Sequence, residues 1–371
     1  MGVMYQIKDL DNSSYQREPL GAPMTDGKGG DSMGLALRKE KILSSVVESY
    51  IRSGEPIGSK ALLEETDLGV SSATVRNELK ALDEEGYLRQ PHTSAGRIPT
   101  KKGYRYYIDN LMKPMILPER LRENIERAIR SGAGAPETIL SRCVSVMAEL
   151  TRAACAATTP SSDEARVHRI RFVSTGRHTS MVVLVASNGV VKSQLFRCEF
   201  VLTPQLLSMF DKAVNEAFAG VKLKDVTQGF LQTAASGMGE LTLFIPDVMV
   251  AIYDAVQSAL KISVTVAGQT NLLFSDSYDF DSARNTIRFL GDTKTISGLL
   301  NNSRTHMIYL GEESRIPELR DSAVVTARYE IGGENAGAVA VIAPLRIDYK
   351  TIMSEVIYAA GCVSRAIGDL L

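Results

Sequence analysis

The chain has 371 residues, 44% of them apolar and 23% charged, with a formal net charge of -1 at pH 7. That length suits two or three domains, and that composition is globular, which excludes a largely disordered chain. No apolar run reaches the ~18 residues of a membrane-spanning helix, so no membrane partner is expected, and the near-neutral total gives no sign of a nucleic-acid partner.

Residues 1 to 33 mix Asp, Ser, Gly, Lys and Pro with few apolar anchors and lack a secretory signal pattern, so a disordered N-terminal extension is expected there, with Met33 as an alternative start. Ordered structure is expected from near Leu35. Ile42, Leu43, Val46, Val47, Tyr50 and Ile51 recur at helical spacing, and Gly54 stops the run. A short second helix, Lys60 to Glu65, has Ser59 as its expected cap. After a turn at 66 to 70, Ser71 or Ser72 caps a third helix that runs to Glu85 and ends at Gly86. Three helices in ~50 residues, the last two tightly joined, make a helix-turn-helix pattern. Two short strands around the tip Pro91 to Gly96 read as a wing, and Thr100 caps a fourth helix, Lys101 to Leu111. Pro114 and Pro118 mark a linker.

Helices are predicted at Arg120 to Ile129 and Glu137 to Thr151, then strands at Arg169 to Ser174, Met181 to Ala186 and Val190 to Phe200, the last two joined by an Asn188-Gly189 turn. From Thr203 to about Leu272 the pattern is helical, with segments at Gln205 to Phe218, Leu223 to Gln232 and Asp247 to Leu260. Strands return at Thr305 to Leu310, Ala323 to Ile331 and Gly337 to Ile342, before a closing helix, Asp348 to Leu371. Sheet, helices, then sheet suggests one α+β domain interrupted by a largely helical insertion; two separate α+β domains fit the same string.

On the third helix, Val75, Leu79 and Leu82 share a narrow arc that packs inward. The opposite side carries Ala73, Asn77 and Lys80, flanked by Arg76. Asn can bond adenine with two hydrogen bonds, Arg guanine likewise, Ala can touch a thymine methyl, and Lys reaches guanine or phosphate. Ser72 and Thr74 stand beside free backbone N–H groups suited to phosphate. Between Arg89 and Lys113 six cations face the single carboxylate of Asp109, a local basic patch. Within it, Arg97 with His92, Thr93 and Ser94 is expected to reach the minor groove or its phosphates. Lys101, Lys102 and Arg105 are expected as salt-dependent phosphate contacts. A solvated polar face is the bland alternative, but helix-turn-helix spacing, wing and basic patch occur together, and double-stranded DNA is the expected partner.

The run Leu37-Arg-Lys-Glu-Lys-Ile-Leu43, the segment Gly54-Glu-Pro-Ile-Gly-Ser-Lys-Ala-Leu62, the helix Ser71-Ser-Ala-Thr-Val-Arg-Asn-Glu-Leu79, the wing Pro91-His-Thr-Ser-Ala-Gly-Arg-Ile-Pro-Thr100 and Gly103-Tyr-Arg-Tyr-Tyr107 closely resemble the HrcA family of heat-inducible transcription repressors. Past residue 115 the likeness is one of length and architecture. The resemblance implies a cytoplasmic homodimer that binds the inverted-repeat CIRCE operator of chaperone operons of the GroE and DnaK type. It also implies relief on heat stress and modulation by the GroE chaperonin. In domain terms it implies a winged helix at 34–113, a GAF-like α+β domain at 114–202 and 273–371, and an inserted dimerisation domain at 203–272.

A winged-helix repressor controlled by a small-molecule effector in the GAF-like part is the alternative. An enzyme with an N-terminal winged helix, such as a biotin ligase, would need a nucleotide-binding signature that Ser236-Gly-Met-Gly239 and Gly332 to Gly337 do not supply, so no enzymatic activity is expected. Cys143, Cys155, Cys198 and Cys362 stand far apart without a C-x-x-C pair, which suits buried, reduced thiols. His168, His178 and His306 have no nucleophile or metal context, and no cofactor or metal is expected.

Overall fold

The computed structural model describes residues 37–66, 71–93, 95–113, 115–131, 134–160, 164–239, 246–302 and 307–370. The extension expected at residues 1–33 lies outside them, as do Ser94 and His306. Helix and sheet are mixed in an α+β arrangement.

Helix α1 (Leu37–Ser53) buries Ile42, Leu43, Val46 and Val47 completely, the face its periodicity predicts. Gly54 ends it at φ +75, a left-handed conformation that strains any residue with a Cβ. In α2 (Ser59–Glu65), Ser59 is the first helical residue and not the cap; Gly58 holds the cap position in extended geometry without a side-chain bond. Helix α3 (Ser72–Glu84) is capped by Ser71, whose hydroxyl accepts from the Thr74 N–H at 3.2 Å, and it buries Val75, Leu79 and Leu82. Strands β1 (Leu88–Arg89) and β2 (Ile98–Pro99) then pair antiparallel, Leu88 opposite Pro99. Thr100 caps α4 (Lys101–Tyr106), accepting from the Gly103 N–H at 3.1 Å. The single helix expected to Leu111 widens after Tyr106 into a π turn, Tyr107–Leu111, which buries the adjacent Tyr107 and Ile108.

Helices α5 (Glu119–Arg130) and α6 (Pro136–Thr151) lead into β3 (Ala154–Thr158). Strands β4 (Val167–Ser174), β5 (Thr179–Ala186) and β6 (Val191–Arg197) form the predicted meander. Helices α7 (Pro204–Phe218), α8 (Gln228–Ser236) and α9 (Pro246–Leu260) follow. The helix expected from Leu223 to Gln232 is instead a 3-10 turn, Leu223–Asp225, and then α8, because the Thr227 hydroxyl caps a new start at Phe230 N–H. The rest comprises β7 (Val264–Ala267), α10 (Phe280–Leu290), α11 (Thr293–Asn302), β8 (Met307–Leu310), β9 (Ser322–Ile331), β10 (Glu334–Pro344) and α12 (Tyr349–Gly368).

Five strands make an antiparallel sheet in the order β7, β3, β10, β9, β8. Alternation sends Cys155 and Ala157 of β3 toward α5, α6 and α12, while Ala154 and Ala156 face α10 and α11 on the other side. The first of these cores is continuous with that of α1 to α4. A separate core joins β4, β5 and β6 to α7, α8 and α9 around Ile170, Leu184, Phe210, Val214, Phe218 and Ile252.

These cores divide the chain differently from the expected boundaries. Cys155 to Thr158 pair with Ala267 back to Val264, so the chain leaves the large sheet after Thr158 and rejoins it at Val264. The meander, placed with the large sheet by the split at residue 202, packs with the intervening helices, and β7, placed among those helices, belongs to the large sheet. The intervening unit is therefore itself α+β and not largely helical.

Candidate nucleic-acid interface

Helix α3 is held on one side by its buried Val75, Leu79 and Leu82, which fixes what its other side presents. Ala73, Arg76, Asn77 and Lys80 are all exposed. Lys80 lies 3.6 Å from Glu84, an ion pair between two largely exposed side chains that holds it only weakly. Ser72 is exposed at the first turn, its Oγ 3.3 Å from that of Ser59, so the starts of α2 and α3 adjoin. Thr74 is half-buried and bonds Ser71 side chain to side chain at 2.9 Å. Ser59, expected only as a helix cap, and the exposed Lys60 next to it in sequence were not among the expected contacts; Ser59 comes beside Ser72 only once α2 packs against α3.

The hairpin beside α3 is braced from within. The Gln90 side chain donates to the carbonyls of Thr93 and Ala95, both at 2.8 Å, which shapes the tip and leaves His92 exposed. Arg97 and Ile57 exchange backbone hydrogen bonds at 2.8 and 3.1 Å. That approach needs glycine at position 96, where a Cβ would stand 2.4 Å from the Ile57 carbonyl. An open groove of about 520 Å³ separates the tip from the end of α1, bordered by Tyr50, Pro56, Pro91 and His92.

Four expected DNA contacts sit elsewhere. The Arg97 side chain is only 18% exposed, with Nε 3.0 Å from Asp83 Oδ2. The pair is not aligned as a hydrogen bond, and it ties the hairpin to the end of α3 instead of reaching outward. Lys102 is exposed but folds back, its Nζ donating to the Glu85 carbonyl at 2.7 Å and lying 4.2 Å above the Tyr87 ring, so it closes the C-terminus of α3. Lys101 Nζ lies 2.7 Å from Glu312 Oε2 and donates to the Arg320 carbonyl at 2.9 Å. Arg105, 18% exposed, places its fork on Glu313 with Nε at 3.0 Å, and also donates to Asp109 at 3.1 Å and to the Ile308 carbonyl at 2.7 Å. Burial, the largest influence on this guanidinium, pulls its pKa down, but Glu313 and Asp109 together outweigh it and leave the pKa raised. Lys101 and Arg105 are therefore committed to acidic partners that follow β8, more than two hundred residues away. Local charge density could not distinguish such partners from phosphates.

Among the described residues, no group of three or more His, Cys, Asp or Glu side chains is placed to hold a metal ion. All four cysteines are free and buried. No helix among these residues is long and apolar enough to cross a membrane.

Comparison with known proteins agrees with the architecture. A family model described as the HrcA protein C terminal domain matches residues 137–353. The heat-inducible transcription repressor HrcA of Frankia casuarinae is 33% identical over 342 residues, covering 90% of this chain and 98% of the relative. Its namesake in Lachnoclostridium phytofermentans is 30% identical over 324 residues, covering 85% and 93%. A crystal structure described only as that of a hypothetical protein superposes with a TM-score of 0.62 at 22% identity, over 91% of this chain and 100% of that one, and shares the fold. With a family model spanning more than half of its length and relatives of this identity along most of the remainder, the chain belongs to the HrcA family, whose curated members are named heat-inducible transcription repressors.

Proposed function

We propose that this chain represses transcription by binding double-stranded DNA, with α1 to α3 and the β1–β2 hairpin acting as a winged helix-turn-helix. The observation that carries the proposal is the outward side of α3. Ala73, Arg76, Asn77 and Lys80 project from a helix locked on its other side, next to a braced hairpin. Arg76 and Asn77 offer the paired hydrogen bonds that read guanine and adenine edges. Ser72 and Thr74, with Ser59 and Lys60, flank the helix starts where a phosphate is favoured, and His92 at the hairpin tip meets the adjoining backbone.

The target is an inverted repeat of the CIRCE type ahead of GroE and DnaK chaperone operons, bound by a homodimer and released on heat stress, with the chaperonin promoting the binding form. Family membership supports the heat-linked part. For dimerisation, the support lies in the intervening unit, residues 164–260. One side of its three-stranded sheet packs on helices, while the other carries Val173, Met181 and Leu195 in one cross-strand row and Val185 and Val191 in another. Val173, Val191 and Leu195 are exposed there. The five-stranded sheet covered by helices on both sides supports the GAF-like reading of the remainder.

A mobility-shift assay on the inverted repeat and on a scrambled duplex tests this. Arg76→Ala and Asn77→Ala should each reduce the preference for the repeat by about 5- to 150-fold, the worth of one paired base contact. Equal binding of both duplexes by the unmodified chain would remove the proposal. If purified chaperonin changes neither the affinity nor its recovery after heating, the chaperonin has no part in it.

A further inference from the structure

The cations of α4 that do not face outward have a defined destination. Glu312 and Glu313 lie in a 3-10 turn, Gly311–Ser314, directly after edge strand β8. This turn is shaped to receive α4. Gly311 has φ +56, and a Cβ there would stand 2.4 Å from the Arg320 carbonyl and 2.8 Å from Lys101 Nζ. The Glu313 carboxylate is fixed by the Leu310 N–H at 2.9 Å before it meets the Arg105 fork. Arg320 Nε lies 3.3 Å from Glu312, so the second carboxylate stands between Lys101 and Arg320.

A second pin closes the other end of the same contact. Arg346, just before α12, donates from Nε to Ser277 Oγ at 2.9 Å and from Nη1 to the Ile51 carbonyl at 3.3 Å. Its guanidinium would lie 3.1 Å from a Cβ on Gly54, so it packs directly on the glycine that ends α1. A cation suits that position, since the helix C-terminus carries partial negative charge. Between the two pins, the Tyr104 and Tyr349 rings meet with centroids 5.6 Å apart, within the core shared by both parts.

We propose that Arg105, Lys101, Glu312, Glu313 and Arg346 are positioning residues for DNA recognition: they hold the α3 reading face in one orientation on the five-stranded sheet, and so set which spacing between half-sites a dimer accepts. This rests on the DNA-binding dimer proposed above. In a two-fold dimer, the separation and rotational phase of the two reading helices must match those of the half-sites. Each added base pair moves one half-site by about 3.4 Å and about 35° around the duplex. A reading unit fixed to its body cannot follow that movement, whereas one that pivots on a loosened joint can. Contact with bases inside a single half-site is untouched by the joint.

The test compares the unmodified chain with the Glu312→Gln, Glu313→Gln, Arg346→Ala variant on three kinds of duplex: the inverted repeat, the same repeat with its spacer lengthened by one base pair, and a single half-site. The unmodified chain should lose affinity by more than about tenfold as the spacer lengthens, and the variant by less than about threefold, with half-site affinities within about twofold of each other. If that variant does not fold, Arg346→Ala alone, at one end of the joint, is measured in the same way and should lower the spacing penalty. An unchanged spacing penalty would overturn the inference. So would a uniform gain on every duplex including the half-site, because the glutamates would then be competing with phosphate and not orienting the reader. If the unmodified chain binds the half-site but shows no preference for the repeat, the dimeric DNA reading fails first and the inference falls with it.

Discussion

Glu355→Gln is expected to stabilise the protein at pH 8 and to leave it almost unchanged at pH 4.5. Glu355 lies on α12 and is 6% exposed, on the side of the helix that packs into the main core. Burial pushes its carboxyl up from 4.5 to about 7, and the negative charge of Asp348 pushes it the same way. In the unfolded chain the group ionises near 4.5, so between that pH and about 7 the folded protein keeps a proton that the unfolded chain has released. Its contribution to stability is therefore complete below 4.5, falls as pH rises through this window, and levels off above about 7. A difference of about 2.5 pKa units at 1.36 kcal/mol each amounts to about 3 kcal/mol at pH 8, a large part of the roughly 5–15 kcal/mol that holds a domain folded. Glutamine keeps the shape and removes the titration. Urea unfolding followed by circular dichroism at pH 4.5, 6, 7 and 8 should show the gap between variant and parent widening with pH. A gap that stays constant across the range would refute the assignment of the raised carboxyl to this site.

Arg97→Ala should weaken DNA binding by loosening the hairpin while leaving the slope of log affinity against log salt unchanged. A direct phosphate contact would instead lower that slope by about one, and filter binding at several salt concentrations separates the two. Leu195→Glu, on the solvent-facing side of edge strand β6, should turn a dimer into a monomer in sedimentation velocity without lowering the melting temperature of the large sheet; a dimer that persists unchanged would place the interface elsewhere. Gly311→Ala should cost about 1–3 kcal/mol, from a left-handed backbone and a Cβ driven against the Arg320 carbonyl, as measured by thermal melting, and a neutral result would mean that the turn can rearrange.

Much of the N-terminal region was legible because α1, α3 and α4 announce themselves locally. Ile42, Leu43, Val46 and Val47 recur at helical period, Ser71 and Thr100 are caps, and Gly54 and Gly86 occupy left-handed stops. Which side of α3 is buried and which is exposed followed from the same periodicity. Strands β3 and β7 were not legible. Ala-Cys-Ala-Ala-Thr is buried at every position, so it shows no alternation, and its partner Val264–Ala267 follows only after a whole intervening unit. Its entry is also concealed, since the left-handed residue after α6 is Arg152 at φ +51 and not a glycine. Arg97, Lys101 and Arg105 were recognised as cations but not by their destinations. A guanidinium matches a carboxylate as well as it matches a phosphate, and Glu312 and Glu313 come near only through the tertiary fold.

The continuity of the main core among the described residues bears on how heat would dismantle the molecule. Ile42 and Leu82 at one end and Val341 and Val363 at the other belong to one apolar cluster, whereas Phe210 and Ile252 belong to another. Cooperative unfolding follows contiguous burial, so α1 to α4 and the five-stranded sheet should melt as one unit and the intervening unit as a second. Warming would then abolish DNA recognition in a single calorimetric step, leaving the intervening unit to unfold in a step of its own.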